Sequence, residues 1–244
     1  MERQAKNKKG KQSMLRVPNG TGFDMSSVEL RKQYRVWEIR NLTESTYVLR
    51  FDRCGMEFVA GQHITLGIPG DNQVREYSIY STMQDPYLEV LIKEVDDGLV
   101  SHRLRKVHKG DLLQVDGPFG FFTIDEEKII SGKFLFVATG TGIAPFHSLA
   151  GSYSGLNYTL LHGVRLAYEG YERSFFPEDR YILCSSRDEL GDFNGRVTDY
   201  LAMNEIESDT LVYLCGNCEM IYEVYDLLTS GGLDSDQIRT EVYF

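Results

Sequence analysis

The sequence predicts two domains of different class: an N-terminal antiparallel β-barrel followed by an α/β domain built on a doubly wound parallel sheet. Three observations carry this expectation. Between residues 34 and 125, short segments alternate apolar and polar side chains, as at Tyr47, Leu49 and Phe51, with the period of two expected of half-buried strands. Beyond residues 126–132 the runs become almost continuously apolar and are separated by helix-length segments, the pattern of parallel strands covered on both faces. A chain of 244 residues also exceeds one small module and suits two compact cores.

Taken in order, residues 1–30 read as a leader. MERQAKNKKGKQSMLR carries six Lys/Arg against one Glu, a charge of +5, which leaves 20 basic and 35 acidic residues elsewhere, −15, within the net −10. The leader has no apolar centre and so is not a secretory signal. It is expected to be flexible, or to act as a docking arm for an acidic protein. No apolar run approaches the roughly 20 residues that span a bilayer, and four cysteines fit a reducing compartment, so the expected location is cytoplasmic. The acidic body argues against nucleic acid as the main partner.

Residues 31–127 are expected to form the barrel. Its strands are centred on Trp37 and Ile39, on Tyr47–Phe51, and on EFVAGQHITLGI, VREYSIYS, YLEVLIKEV and DLLQVDG, with one short helix near Val100–Val107. Residues 128–244 are expected to form the α/β domain, with parallel strands at KFLFVATG, YTLLHGV, RYILCSS, DTLVYLCGN and QIRTEVYF.

The first of these strands runs into ATGTGIAPF, residues 138–146. Gly140 and Gly142 allow a sharp turn and bring backbone N–H groups close to a phosphate, and a helix beginning near Ile143–Pro145 adds its positive N-terminal end. The spelling differs from the common dinucleotide fingerprint. Arg165, Arg187 and Arg196 follow the second and third strands of this domain. Strand carboxyl ends face the ligand crevice of such a sheet, and three guanidiniums gathered there suit a phosphate monoester. That group distinguishes NADP from NAD.

Four stretches, in this order, resemble the ferredoxin/flavodoxin–NADP(+) reductase family: REYSIYS (75–81), GTGIAP (140–145), LCGN (214–217) and EVY (241–243). The first matches the family's flavin motif, R-x-Y-S-x-x-S, and the resemblance runs from about residue 34 onward. It implies a barrel that binds FAD, an α/β domain that binds NADP(H), and hydride transfer where the two meet. In that picture Arg75 holds a flavin phosphate, Tyr77 packs against the isoalloxazine ring, and Ser78 hydrogen-bonds near flavin N5. DGLVSHRL is similar to the family's flavin-pyrophosphate segment, with backbone N–H groups offered by Gly98, Leu99, Val100 and Ser101. Thr141 lies near nicotinamide and flavin, and the three arginines match positions that bind the 2′-phosphate in bacterial members. Arg75 and Tyr77 project from one face of their strand by simple alternation, so a strand end or bend is needed to re-aim Ser78.

Cys215 and Cys218 form a C-x-x-C, which on its own suggests a redox dithiol or half a zinc site. A zinc site lacks a second pair, since Cys54 and Cys184 are isolated. The resemblance places Cys215 beside the nicotinamide ring, next to Gly216. A disulfide with Cys218 at a helix start and plain packing stay open. Near the C-terminus, the resemblance to plant-type members assigns Glu241 to positioning the nicotinamide. It assigns an aromatic ring to the flavin face that nicotinamide must occupy, Tyr243 or, one residue later, Phe244.

The expected activity is that of an FAD-dependent oxidoreductase exchanging a hydride with NADP(H) and single electrons with ferredoxin or flavodoxin, a small acidic carrier. Arg103, Arg105, Lys106 and Lys109 are candidates for the basic patch such a carrier needs. Two other readings stand: an NAD(P)H-dependent reductase component of an oxygenase, and a nucleotide-binding module without catalysis. No metal-ligand set is apparent, and His63 and His162 are read as structural.

Overall fold

The computed structural model describes residues 33–95 and 98–243; the leader and Phe244 lie outside these. The first sheet contains β1 (Tyr34–Asn41), β2 (Thr46–Asp52), β3 (His63–Gly67), β4 (Val74–Ser78), β5 (Tyr87–Lys93) and β6 (Leu112–Phe119). Their lateral order is β4-β3-β6-β1-β2-β5, and every pairing is antiparallel. The outer strands approach one another just past β4: Ile79 bridges Val90, and the Tyr80 N–H donates to Glu89 O at 2.7 Å. The curled sheet buries Tyr47, Leu49, Phe51, Ile64, Leu66, Val90 and Ile92. The short helix α1 (Leu99–Leu104) supplies Val100 and Leu104 to the same core.

One strand departs from simple alternation. A register shift between Val36 and Glu38 marks a β-bulge that turns Tyr34 and Val36 inward and leaves Trp37 largely outside, where its Nε1 donates to Asp52 Oδ1 at 2.6 Å. The bulge inserts a residue and shifts the inward parity, so Trp37 is not the core residue its position in the pattern suggests.

Helix α2 (Glu126–Ser131) follows, and then the second sheet: β7 (Lys133–Thr139), β8 (Asn157–Val164), β9 (Tyr181–Ser185), β10 (Phe193–Asn194), β11 (Leu211–Asn217) and β12 (Ile238–Tyr243). Its order is β10-β9-β8-β7-β11-β12, parallel throughout. The chain winds outward from β7 to β10 and then restarts on β7's other side. This creates a topological switch point between β7 and β11, where open α/β sheets bind ligands. Helices α4 (Val197–Met203) and α5 (Cys218–Ser230) cover one face through Val197, Leu201, Ile221 and Val224. On the other face, α3 (Ala144–Ser152) joins barrel residues Val48, Tyr80, Leu91 and Phe122 in a single apolar cluster. The two sheets belong to one compact unit.

Polar contacts reinforce that seam. Ser148 Oγ donates to Ser81 O at 2.7 Å, and the Met83 N–H donates to Ser152 Oγ at 2.9 Å. Glu172, held in a left-handed backbone conformation, accepts from Tyr80 and pairs with Arg40 of β1. The ring of His147 is stacked between Tyr80 and Phe175, with centroids 3.8 Å away on each side. No helix among the described residues is long and apolar enough to cross a membrane.

Candidate active site at the strand ends

β7, β11 and β12 run side by side with Ala138, Cys215 and Glu241 in register, so their carboxyl ends finish at one level. Beyond β7 the chain enters a tight 3-10 turn over Gly140–Ile143 and then α3, which has proline in its first turn. The turn lies directly on β11: a Cβ on Gly142 would sit 2.3 Å from Cys215 O, and one on Gly216 would sit 2.3 Å from Thr139 Oγ1. Gly216 also has φ +131°, a conformation that other residues rarely adopt. Both glycines are therefore fixed by backbone approach between two strand ends.

Residues that the sequence gave no obvious role hold this turn. His162 of β8 is buried, with Nε2 2.9 Å from Gly140 O and Nδ1 2.7 Å from the Tyr181 hydroxyl. Burial pushes its pKa down to about 4, so the ring is neutral at pH 7 and serves as a hydrogen-bonding strut. The Asn217 N–H donates to Thr139 Oγ1 at 2.9 Å, while its side chain caps α5 by accepting from the N–H groups of Glu219 and Met220.

Above the switch point opens a cleft of about 590 Å³. Gly140, Thr141, Gly216 and Tyr243 line it together with Arg165, Arg187 and Arg196. The three arginines thus share one cleft with the glycine turn. Glu169 orders their rim by accepting from the N–H groups of Arg165 and Leu166, both at 3.1 Å, and Lys93 reaches the same cleft from the barrel, 3.8 Å from Glu169.

Where the two sheets meet, Ser78, Glu241, Tyr243 and Cys215 come together. Ser78 is the last residue of β4, the strand end required to re-aim it. The Tyr243 hydroxyl donates to Ser78 Oγ at 2.6 Å, and Ser78 Oγ donates onward to Glu241 Oε1 at 3.5 Å. His63, paired with Ser78 across the β3–β4 ladder, brings Nδ1 to 3.6 Å from the same Glu241 oxygen. Burial raises the Glu241 carboxyl to about 7; the Ser78 hydrogen bond opposes the shift, and the nearby Glu76 charge adds to it. Glu241 Oε2 is buried with no hydrogen-bond partner. An orphaned buried acceptor is costly, and its place beside the cleft suits a ligand that brings a donor.

The thiols answer the question raised by C-x-x-C. Cys215 lies within the sheet, fully buried, and burial followed by the charge of Glu241 holds its thiol well above the ordinary value. A reactive dithiol needs an accessible, low-pKa thiolate, which is the opposite environment. Cys218 is the first residue of α5, and neither sulfur is in a disulfide. Among the described residues no three His, Cys, Asp or Glu side chains gather as metal ligands.

The remaining candidates form a second set on the barrel. Arg75 is exposed on β4. Tyr77 is half-buried against the barrel core, its phenol pushed up to about 12 by burial. Leu99 is exposed at the start of α1, whereas Val100 and Ser101 face inward, and Tyr47 donates to Ser101 O at 3.0 Å. The Gly98 N–H is already given to Val95 O at 2.9 Å, so Gly98 is not among the available donors, contrary to expectation. Of the basic-patch candidates, Arg103 pairs with Asp71, and Arg105 pairs with Glu94 and lies over the Tyr47 ring, so both are locally committed.

Comparison with known proteins accords with this geometry. Residues 33–124 match the family model of the oxidoreductase FAD-binding domain. The chain is 30% identical over 215 residues to the flavodoxin/ferredoxin–NADP reductase of Escherichia coli (strain K12), spanning 77% of this chain and 85% of that protein. It is 29% identical over 237 residues to the toluate 1,2-dioxygenase electron transfer component of Pseudomonas putida, spanning 90% of this chain and 69% of that protein. Its fold superposes on a ferredoxin NADP+ reductase from Neisseria gonorrhoeae with a TM-score of 0.76, at 23% identity over 87% of this chain and 98% of that one. With two sheets joined at Ser78 and Glu241 and a reductase relative matched along most of its length, the chain belongs to the ferredoxin/flavodoxin–NADP reductase family of FAD-dependent oxidoreductases.

Proposed function

We propose that this chain exchanges a hydride with NADP(H) through FAD and passes electrons singly to a small redox protein of the ferredoxin or flavodoxin kind. The observation that carries the reading is the cleft itself, lined by three arginines, the glycine turn and Tyr243, whose hydroxyl reaches Ser78 beside Glu241. Such a cleft suits a phosphorylated dinucleotide with its charged end among the guanidiniums and its pyridine ring at the strand ends.

The residues present fit FAD. Arg75 offers an exposed guanidinium for phosphate, Tyr77 a flat apolar surface two residues along the same face, and the start of α1 the backbone N–H groups of Leu99, Val100 and Ser101. Bound FAD supplies two-electron acceptance and one-electron release. Ser78 and Glu241 would orient the reacting rings, Glu241 Oε2 would accept from the nicotinamide, and Gly216, with Cys215 buried behind it, would leave a thin floor against which a planar ring can slide. Tyr243 occupies the ring's place until the dinucleotide displaces it, and so tunes affinity and release. Thr141, in the glycine turn, would border both rings.

The test is anaerobic reduction of the FAD-loaded protein by NADPH and by NADH, followed by a panel of ferredoxins and flavodoxins. Rapid flavin bleaching by NADPH, with NADH much slower, is the expected outcome. Equal rates with both coenzymes would remove the arginine assignment and favour the second reading, an oxygenase reductase, for which the toluate dioxygenase relative is the specific support. A chain that takes up no FAD would sink both.

A further inference from the structure

Two loops of the barrel expose apolar side chains next to the candidate active site. In loop 53–62, Val59 is 43% exposed; at the end of β6, Phe119 is 42% exposed and Phe121 95% exposed. They form one rim, because Gln62 ties the loops together: its Oε1 accepts from the Val59 N–H at 2.8 Å and its Nε2 donates to Gly120 O at 3.4 Å. The neighbouring Phe122 is buried and fills the core, so the outward direction of Phe121 is set by the chain's alternation and not by want of room. Contiguous exposed apolar side chains of this kind mark interaction sites. The rim adjoins the redox centre of the proposed function: the Phe119 ring centroid is 6.0 Å from that of His63, whose Nδ1 is 3.6 Å from Glu241.

The exposed charges of the rim are acidic. Glu57 is 94% exposed at its side chain. Glu76 and Asp116 flank Thr65 in a single cross-strand row, and both are exposed. The one arginine of these loops, Arg53, is turned inward, donating to the carbonyls of Met56, Met83 and Asp85, with its other terminal nitrogen 3.8 Å from the Glu57 carboxylate, which stays exposed. Neither loop carries an exposed lysine or arginine. The basic residues that the sequence suggested as a patch are elsewhere, with Arg103 held by Asp71 beyond the far end of the β3–β4 ladder.

We infer that this rim is the docking surface for an electron-transfer protein whose contact face has an apolar centre ringed by lysine or arginine. Val59, Phe119 and Phe121 supply the desolvated contact, and Glu57, Glu76 and Asp116 attract and orient the partner. This reverses the charge expected of an acidic carrier. The inference rests on the proposed route of electrons through the Ser78–Glu241 corner, but binding at the rim can be measured independently of that route.

The test uses the FAD-loaded protein with a basic c-type cytochrome and an acidic plant-type ferredoxin as probes, and dichlorophenolindophenol as a small acceptor. NADPH-driven cytochrome reduction should fall about fivefold or more in kcat/KM as salt rises from about 20 to about 200 mM, and ferredoxin reduction should not. Phe121→Ser and Glu57→Lys should each lower cytochrome kcat/KM and weaken its binding by surface plasmon resonance about fivefold or more, leaving dye reduction unchanged. Phe121 is outside the core, so the variant should retain its fold. Unchanged cytochrome binding in both variants, or a salt response of the ferredoxin instead, would overturn the surface. Failure of NADPH to bleach the flavin would instead overturn the electron route and leave the binding measurement to decide the surface.

Discussion

The hydroxyl of Tyr243 donates to Ser78 Oγ across 2.6 Å, although 165 residues separate the two. This bond joins the last described strand of the parallel sheet to the end of a barrel strand, and it seats an aromatic ring where the cleft reaches the barrel. In the proposed function this makes the ring a gate with a measurable latch.

Replacing it should open the cleft. Tyr243→Ser is expected to tighten NADP+ binding about tenfold, roughly 1.4 kcal/mol, and to lower turnover because the dinucleotide leaves more slowly. Equilibrium titration followed by stopped-flow release measures both. Unaltered affinity would mean that the ring does not compete for the site.

Glu241 gives stability a particular pH dependence. With its carboxyl raised from 4.5 to about 7, the folded chain holds a proton across that window which the unfolded chain has released. Stability therefore falls by about 3 kcal/mol in order of magnitude as pH rises from about 4.5 to about 7, and is level above. Glu241→Gln should remove this slope, so that thermal melts of the flavin-free protein match at pH 4.5 and favour the variant at pH 8. Parallel melting curves at both pH values would count against the buried carboxyl.

The arginines should govern coenzyme choice. Arg187→Ala is expected to raise KM for NADPH by about 10- to 100-fold, the range for losing a charge-assisted phosphate contact, with NADH kinetics nearly unchanged. A similar loss with both coenzymes would place Arg187 outside the phosphate-monoester site.

Gly142 tests the turn. An alanine there would bring its Cβ against the backbone of Cys215 and Gly216, costing about 1–3 kcal/mol by overpacking. Because the residues proposed to hold FAD, Thr141 aside, lie on the barrel, Gly142→Ala should retain FAD while losing NADPH-driven bleaching. Wild-type reduction in that variant would show that the strand ends can part.

Much of this was legible in the chain because its signals are local. The change from alternating to continuous apolar strands separated the two lobes, and the arginines after β8 and β9 fell on the side where parallel strands end. Even the neglected His63 had a readable address: a hairpin turning at PGDN, residues 69–72, pairs it with Ser78. Other features depend on contacts no window contains. The bulge at Trp37 shows no glycine or proline, and β10 is two residues long. The partners of Glu172 lie 132 and 92 residues away. The donor that Gly98 loses to Val95 is likewise decided by a turn whose shape its letters leave open.

The seam carrying Ser148, Ser152, Glu172 and His147 bears on how such chains diversify. Each lobe's buried donors find acceptors in the other. A barrel exchanged for a foreign one would strand hydroxyls, an arginine and a carboxylate in a dry interior. Lineages of this architecture are thus constrained to remodel loops and rims while inheriting both halves together, and a shuffled chimera would need its whole joint transplanted as a set.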